Sequence, residues 1–394
     1  MALDFPQVVP QVAEMSEAAA LRAAELEAKI PGLLEALAQA SQIPRDELQA
    51  KILRAGDRWP GALPTGEPID AVYPLPPHAE RLTILGADGS QIYPDRHATA
   101  LYYLINIGSI RVDHGSGKPP LVASHPRVVY DEAELYGENE GLISAALIDG
   151  QRDVAEIAEL ARLAAGPSIG PTLALLDNGL LLWLALQSRE QSRREISRLL
   201  SEYLENLGRL KQAGAAVAGF VDRPRSANIV ALLHLARLPS DQIDSDMLRA
   251  NPLRGLTDRA LFARRLRPGE RSARFVNASP VNSQFEAAGH PIEFFYLSCG
   301  PRGQIARVEI PRWVGEDPRL MDVVHAGIIE QCRTPEGFPY VLVRAHELAV
   351  VTQVDRQTLD QMLSEALLQR GLVPSLSQKA VTKQWTGAKR RHKL

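Results

Sequence analysis

The sequence predicts a mixed α/β sheet covered by helices on both faces. Three observations carry that expectation. Three strand-like runs follow one another between residues 82 and 130, a helical stretch comes next, and strands then alternate with helices to residue 370.

Each element has its own warrant. Residues 7 to 54 repeat apolar residues at helical spacing in a background of Ala, Leu and Glu. They read as helices, broken at Ile30-Pro31 and restarted at Ile43-Pro44, with Pro44 near the first turn. Residues 57 to 80, with several prolines and glycines, form a connector. Leu82 to Ala87 is a strand, Tyr102 to Val112 a second and Leu121 to Tyr130 a third, the last two joined across Gly115-Ser116-Gly117. A helix from about Gly150 stops at Gly166-Pro167, and Leu173 to Asp177 is the next strand. The charged stretch 188 to 213 is a helical insertion ending at Gly214, before a strand at Val217 to Val221. Asn228 to Leu235 is helical, whereas the polar segment 237 to 270 supports short helices at most. Glu293 to Ser298 and Gln304 to Ile310 make a hairpin, and Pro318 to Cys332 a helix. Val341 to Val343 reads as a strand leading to Ala345-His346-Glu347, and Arg356 to Arg370 as the last helix. These elements divide the chain into an N-terminal helical segment (1–56), a main domain (80–372) and a basic tail (373–394).

Composition narrows the class. With 394 residues the chain can bury a large core, and 45% hydrophobic with 23% charged residues is the balance of a soluble globular protein. A net charge of −3 gives no overall nucleic-acid signature, so any DNA contact must come from local patches. Cys299 and Cys332 lie outside any CxxC motif, which argues against a cysteine zinc site or a disulfide framework and for a reducing, cytoplasmic setting. The start of the sequence lacks a signal-peptide pattern, and no apolar run is long enough to span a membrane.

The chemistry concentrates at two similar places. Ile84-Leu85-Gly86-Ala87-Asp88-Gly89-Ser90 is an apolar run ending in an acid and a glycine, and Leu173-Ala174-Leu175-Leu176-Asp177-Asn178-Gly179 repeats the pattern. Each Asp alone could merely start a turn. Together, on two strand ends, they form the beginnings of an oxygen-ligand cluster for Mg²⁺ or Mn²⁺, with Gly89 leaving room for a metal or phosphate beside the backbone. A two-metal phosphodiesterase clamps the attacking and leaving oxygens with ions roughly 3.5–4 Å apart, and it needs further ligands. Glu156 and Glu159, on the polar side of the intervening helix, are the candidates for a third acid, and spacing does not choose between them. Arg152 lies four residues before Glu156 and can pair with it. His346 supplies an imidazole suited to Mn²⁺ or to proton transfer. Arg223 and Arg225, flanking Pro224, suit phosphate clamping. Arg264, Arg265, Arg267, Arg271 and Arg274 read as a track for a DNA backbone. Gly115-Ser116-Gly117-Lys118 is too short for a Walker A loop and prolines follow it, so ATP hydrolysis is not expected.

Ala87-Asp88-Gly89-Ser90, Leu176-Asp177-Asn178-Gly179, Gly219 through Ser226, Leu256-Thr257-Asp258, Leu266 to Ser272, and Phe338-Pro339-Tyr340 through Ala345-His346-Glu347 stand in an order that resembles the NurA nucleases. The resemblance covers roughly residues 80 to 355. It implies an RNase H-like mixed β-sheet flanked by helices, and a Mn²⁺-dependent nuclease that acts in DNA end resection as a homodimer docked on the hexameric ATPase HerA. It also implies two metal ions held by Asp88, Glu156 (or Glu159), Asp177 and His346. The family's usual Asp-Gly at the second strand is here Asp177-Asn178-Gly179. Two other readings compete: a structure-specific RNase H-like endonuclease working alone, and a DNA-repair adaptor that has lost the chemistry and binds no Mn²⁺ at Asp88 and Asp177.

Overall fold

The computed structural model describes residues 3–56, 59–96, 98, 100–136, 141–186, 193–300, 302–333 and 337–372. The basic tail lies outside these residues. The strands are β1 (Ala62–Pro64), β2 (Val72–Tyr73), β3 (Leu82–Ile92), β4 (Tyr103–His114), β5 (Leu121–Val129), β6 (Thr172–Asp177), β7 (Ala216–Val221), β8 (Arg271–Ser272), β9 (Phe275–Asn277), β10 (Ile292–Cys299) and β11 (Gln304–Pro311). The helices are α1 (Phe5–Ala40), α2 (Arg45–Ala55), α3 (Glu132–Leu135), α4 (Ala145–Ala164), α5 (Arg193–Gln212), α6 (Asn228–Arg237), α7 (Ser245–Arg249), α8 (Asp258–Arg265), α9 (Pro280–Ala287), α10 (Arg312–Gly315), α11 (Pro318–Gln331), α12 (Tyr340–Ala349) and α13 (Gln353–Gln369). None of the described helices is long and apolar enough to cross a membrane.

The chain divides into two compact units, neither continuous in sequence. One comprises Ala79–Asp177, Leu181–Val217 and Pro339–Leu394. Its sheet runs β5-β4-β3-β6, with β4 antiparallel to both β3 and β5, and β6 parallel to β3. The first three strands form a meander, α4 then crosses over, and β6 returns beside β3. This is the expected RNase H-like mixed sheet flanked by helices. Alternation along β3 and β4 assigns the two faces. Gly86 and Gly108 meet α12, whereas Gly89 meets α4. On the α12 side the packing is backbone to backbone: a Cβ on Gly108 would lie 2.3 Å from the Ala345 carbonyl oxygen.

Two local expectations are corrected here. β3 does not stop at Ala87 but continues to Ile92, because β4 pairs with it along its whole length. Asp88 is therefore within a strand, and only Asp177 ends one. The segment Val341–Val343 is helical rather than extended. Its β-branched residues point to a strand, but Val341, Leu342, Ala345 and Ala349 are the buried positions, a helical repeat, and Pro339 sits at the N-cap.

The other unit comprises Met1–His78, Asn178–Leu180 and Ala218–Phe338. Its antiparallel strands run β1-β9-β10-β11-β7, with β8 pairing β10 and β2. Ile30, Leu33, Leu37 and Leu48 from α1 and α2 share a core with Leu232, Leu233, Phe275 and Phe294. The helix continues through Pro31 instead of breaking there. Full burial of Leu33 and Leu37, about 1.5–3 kcal/mol each, offsets the ~3 kcal/mol that an interior proline costs. The earlier turns differ: Phe5, Val9, Val12, Met15 and Leu21 are exposed. The segment 237–270 holds α7 and α8, and Asp258 at the start of α8 is wholly buried. Its carboxylate accepts from the N–H groups of Ile229 and Val230 and from the Tyr296 hydroxyl. Burial pushes this carboxyl up to about 6 despite those bonds.

Candidate metal centre

The parallel ladder between β3 and β6 sets the two aspartates side by side. Ala87 pairs with Leu176, so Asp88 and Asp177 are the next residues on neighbouring strands and share a face. After Asp177 the chain must turn at once, and Asn178 does so with φ 72°. Asn is one of the few non-glycine residues that tolerates this region, so the departure from Asp-Gly costs the turn little.

His346 reaches Asp88 from α12. Its Nδ1 lies 2.7 Å from Asp88 Oδ2, while Asp88 Oδ1 accepts from the Gly89 N–H at 2.8 Å. The aspartate is mostly covered and the imidazole is exposed. Because α12 has no side chain between it and the sheet at Gly86 and Gly108, its histidine comes close enough to touch β3.

Glu156 comes to β3 from the other face, and here the structure separates two residues that spacing did not. Both Glu156 and Glu159 are buried rather than on a polar surface. Glu159 is committed elsewhere: it accepts from Ser109 Oγ at 2.6 Å and from Arg162 at 2.7 Å, and His125 Nε2 stands 3.4 Å away. Burial would raise its pKa, but the bonds to Arg162 and Ser109 and the charges of Arg162 and His125 bring it below the usual value. Glu156 is held well above the usual range by burial first and by the charge of Asp153. Arg152, whose Nε is 3.3 Å away, opposes this, while Asp88 and Asp177 raise it further. Glu156 is thus the helix carboxylate that feels both aspartates.

Gly89 proves to have a different task from the one its motif suggested. A Cβ there would lie 2.5 Å from Arg152 Cγ and 2.7 Å from Glu156 Oε1. The missing side chain makes room for α4, not for a metal or phosphate beside the backbone. Arg152 is itself tied to Asp153 at 2.7 Å and to Gln91 at 3.1 Å. Gln91 and Tyr93 both donate to Asp149. Sequence reasoning missed this polar rim, whose only signal is the alternation of Gln91 and Tyr93 beyond Gly89.

The donor set is three carboxylates and one imidazole, which are hard or borderline ligands suited to Mg²⁺ or Mn²⁺. Among the described residues their ligand atoms do not all lie within 4.8 Å of one another.

The arginines sort into two kinds. Arg223 is 83% exposed at its side chain, with Asp222 3.6 Å away, and Arg225 is exposed too. Arg264 pairs with Glu27, and Arg265 donates to the Asp70 carbonyl; both remain exposed. Arg271 corrects the expected track. It is buried, pairs with Glu67 at 3.1 Å and stacks over the Tyr73 ring at 3.8 Å. Arg274 is likewise enclosed between Glu67 and Glu293. Neither is available to a phosphate backbone, because each neutralises an acid inside its own unit.

Residues 82–351 match the NurA domain family. The whole structure is similar to the crystal structure of the NurA nuclease from Sulfolobus solfataricus, with a TM-score of 0.53 at 12% identity, covering 92% of this chain and 98% of that one. Another NurA crystal structure is similar with a TM-score of 0.41 at 11% identity, covering 80% of this chain and 92% of that one. A NurA crystal structure with manganese has a TM-score of 0.38 at 13% identity, covering 86% of this chain and 97% of that one. No curated protein matches in sequence.

Proposed function

The chain belongs to the NurA family, and from that premise we propose that it is a Mn²⁺-dependent deoxyribonuclease. In this reading it cuts DNA ends exonucleolytically and single strands endonucleolytically, in end resection during double-strand break repair in the cytoplasm. One observation carries the reading. Glu156 is buried where Asp88 and Asp177 both add to its negative surroundings, and Arg152, 3.3 Å away, is a cation that compensates it in part. Such a cluster of acids is costly unless a proton or a cation from outside balances it, and a divalent cation can displace the proton.

Asp88, Asp177, Glu156 and His346 are the residues that would hold the ions. When bound, divalent cations activate water and neutralise charge on the phosphate that is cut. His346 is placed to orient Asp88 through Nδ1, leaving Nε2 free for a ligand or a proton. Arg223 and Arg225 offer exposed guanidinium groups for backbone phosphates, and Arg264 and Arg265 are further exposed cations.

We further propose a homodimer that works with a HerA-type hexameric ATPase, since the sequence carries no ATP-binding loop. The exposed apolar residues on the first turns of α1 support a docking role for the N-terminal segment. Residues from Ile30 onward belong to the chain's own core, so a test of docking should remove residues 1–22 and spare the rest.

The experiment is digestion of end-labelled single- and double-stranded DNA with Mn²⁺, Mg²⁺ or EDTA, with and without such an ATPase. Metal-dependent cutting of short single strands, and ATP-stimulated resection of duplex only with the ATPase, is the expected result. Cleavage of branched DNA that gains nothing from the ATPase would favour a stand-alone endonuclease. No Mn²⁺ binding and no cleavage would favour an adaptor. The truncated protein should cut single strands yet fail at ATP-stimulated resection; normal resection by it would remove the docking role.

A further inference from the structure

Helix α12 ends without a glycine: its C-cap is Val350, in an extended conformation (ψ 122°). The last carbonyls of a helix need partners, and here the sheet supplies them. Asn106 on β4 donates from Nδ2 to the carbonyls of Ala349 at 2.8 Å and Leu348 at 3.1 Å. Ser90 on β3 donates from Oγ to the same Ala349 carbonyl and accepts from the Val351 N–H at 3.2 Å. Asn106 is buried, and its Oδ1 accepts from Ser124 Oγ at 2.9 Å, which fixes the direction of the amide. The contacts at Gly86 and Gly108 set how closely α12 approaches the sheet. They do not fix its rotation or its slide along the strands. The directional bonds from Asn106 and Ser90 do both.

His346 lies three residues before Ala349, about one turn along the same helix. The geometry points to Asn106, seconded by Ser90, as the positioning residue that holds His346 against Asp88. This rests on the metal-centre reading above. Asn106 touches neither metal nor substrate in it; Asn106 acts through α12. Groups that orient metal ligands typically change metal affinity 10–100-fold when removed.

The test is Mn²⁺ binding, read by electron paramagnetic resonance of the free ion, in wild type, Asn106→Ala, His346→Ala and the double variant. Asn106→Ala should weaken binding by roughly tenfold or more. In the His346→Ala background the same substitution should change binding hardly at all, because the residue it positions is gone. Equal weakening in both backgrounds would mean general damage to the sheet and would overturn the proposal, as would unchanged binding in the single variant. Ser90→Ala removes one of the bonds to Ala349 and should show the same background dependence to a smaller extent, which keeps the test open if Asn106→Ala does not fold. If His346→Ala itself binds Mn²⁺ as wild type does, the metal assignment of His346 fails first and the positioning role with it. A normal loss in His346→Ala beside none in Asn106→Ala overturns the positioning role alone.

Discussion

Glu67 and Glu156 are both largely covered glutamates, one in each unit, and they differ in what surrounds them. Burial alone would raise the pKa of Glu67, but Arg271 and Arg274 close around it and bring it below the usual value. Around Glu156 the balance runs the other way. Burial and Asp153 raise it, Arg152 answers only in part, and Asp88 and Asp177 add more negative charge. A buried acid with a structural task comes with its own cations. A buried acid among other acids must keep its proton or meet a cation, and such perturbed acids mark functional sites more often than structural ones.

The sharpest way to break this contrast is to remove surplus charge and satisfied charge separately. Asp88→Asn or Asp177→Asn should lower Mn²⁺-dependent cleavage by about a thousandfold or more, the several kcal/mol that metal charge supplies at a transition state. Circular dichroism should show the fold intact, and cleavage near the wild-type rate in either variant would undo the site assignment. Arg271→Ala should do the opposite. It leaves Glu67 with one of its cations missing and should cost about 3–5 kcal/mol in urea unfolding; a loss under 1 kcal/mol would mean that the pair is not structural.

Within α4 the contrast narrows to residues three apart. Glu156→Gln should cut activity on the order of a hundredfold, since it removes an anionic metal ligand, yet leave stability unchanged or higher. Glu159→Gln should keep most activity and lose about 1–3 kcal/mol, because Ser109 and Arg162 lose a buried acceptor. The pH dependence gives the signs independently. The folded-state pKa of Glu156 is raised, so the unfolded chain releases this proton first as pH rises. In EDTA, wild type should lose stability relative to Glu156→Gln as pH climbs above the ordinary carboxylate range, and the two should converge below it. Glu159 is shifted down, so its contribution is present above the ordinary carboxylate range and is lost as pH falls through its lowered value. Melting curves from pH 3 to 8 that gave both residues the same sign would dissolve the distinction. The smallest effect belongs to the exposed cations. Arg223→Ala and Arg225→Ala should each reduce the salt slope of DNA binding by about one and leave stability within about 0.5 kcal/mol; an unchanged slope would take both off the DNA.

Much of this was legible in the sequence because the relevant signals are local. The strands around Asp88 and Asp177 announce themselves as apolar runs, and the meander–helix–strand order is enough for the mixed sheet. What escaped is set by partners distant in sequence. Whether β3 ends at Ala87 or runs to Ile92 depends on the length of β4. Val341–Val343 reads as a strand by propensity, and burial on a helical repeat overrides it. Arg271 looks like one more cation in a basic run until Glu67 and Tyr73, some two hundred residues away, are seen around it. Helical spacing gives each of Glu156 and Glu159 an arginine on α4 itself, and what sets Glu159 apart across the sheet is Ser109, on β4. Gly89 and Gly108 look alike as strand glycines, and only the helices on opposite faces reveal that each makes room for a different one.

The central claim is that the surplus charge at Asp88, Asp177 and Glu156 exists to be met by a divalent cation. Thermal unfolding with and without Mn²⁺ tests it most directly, comparing wild type with Asp88→Asn and Asp177→Asn. A cation that binds only the folded state stabilises it by about 2.7 kcal/mol at a hundred times its Kd. The account predicts that Mn²⁺ stabilises wild type and that most of this gain disappears in both variants. An equal gain in all three proteins would contradict it.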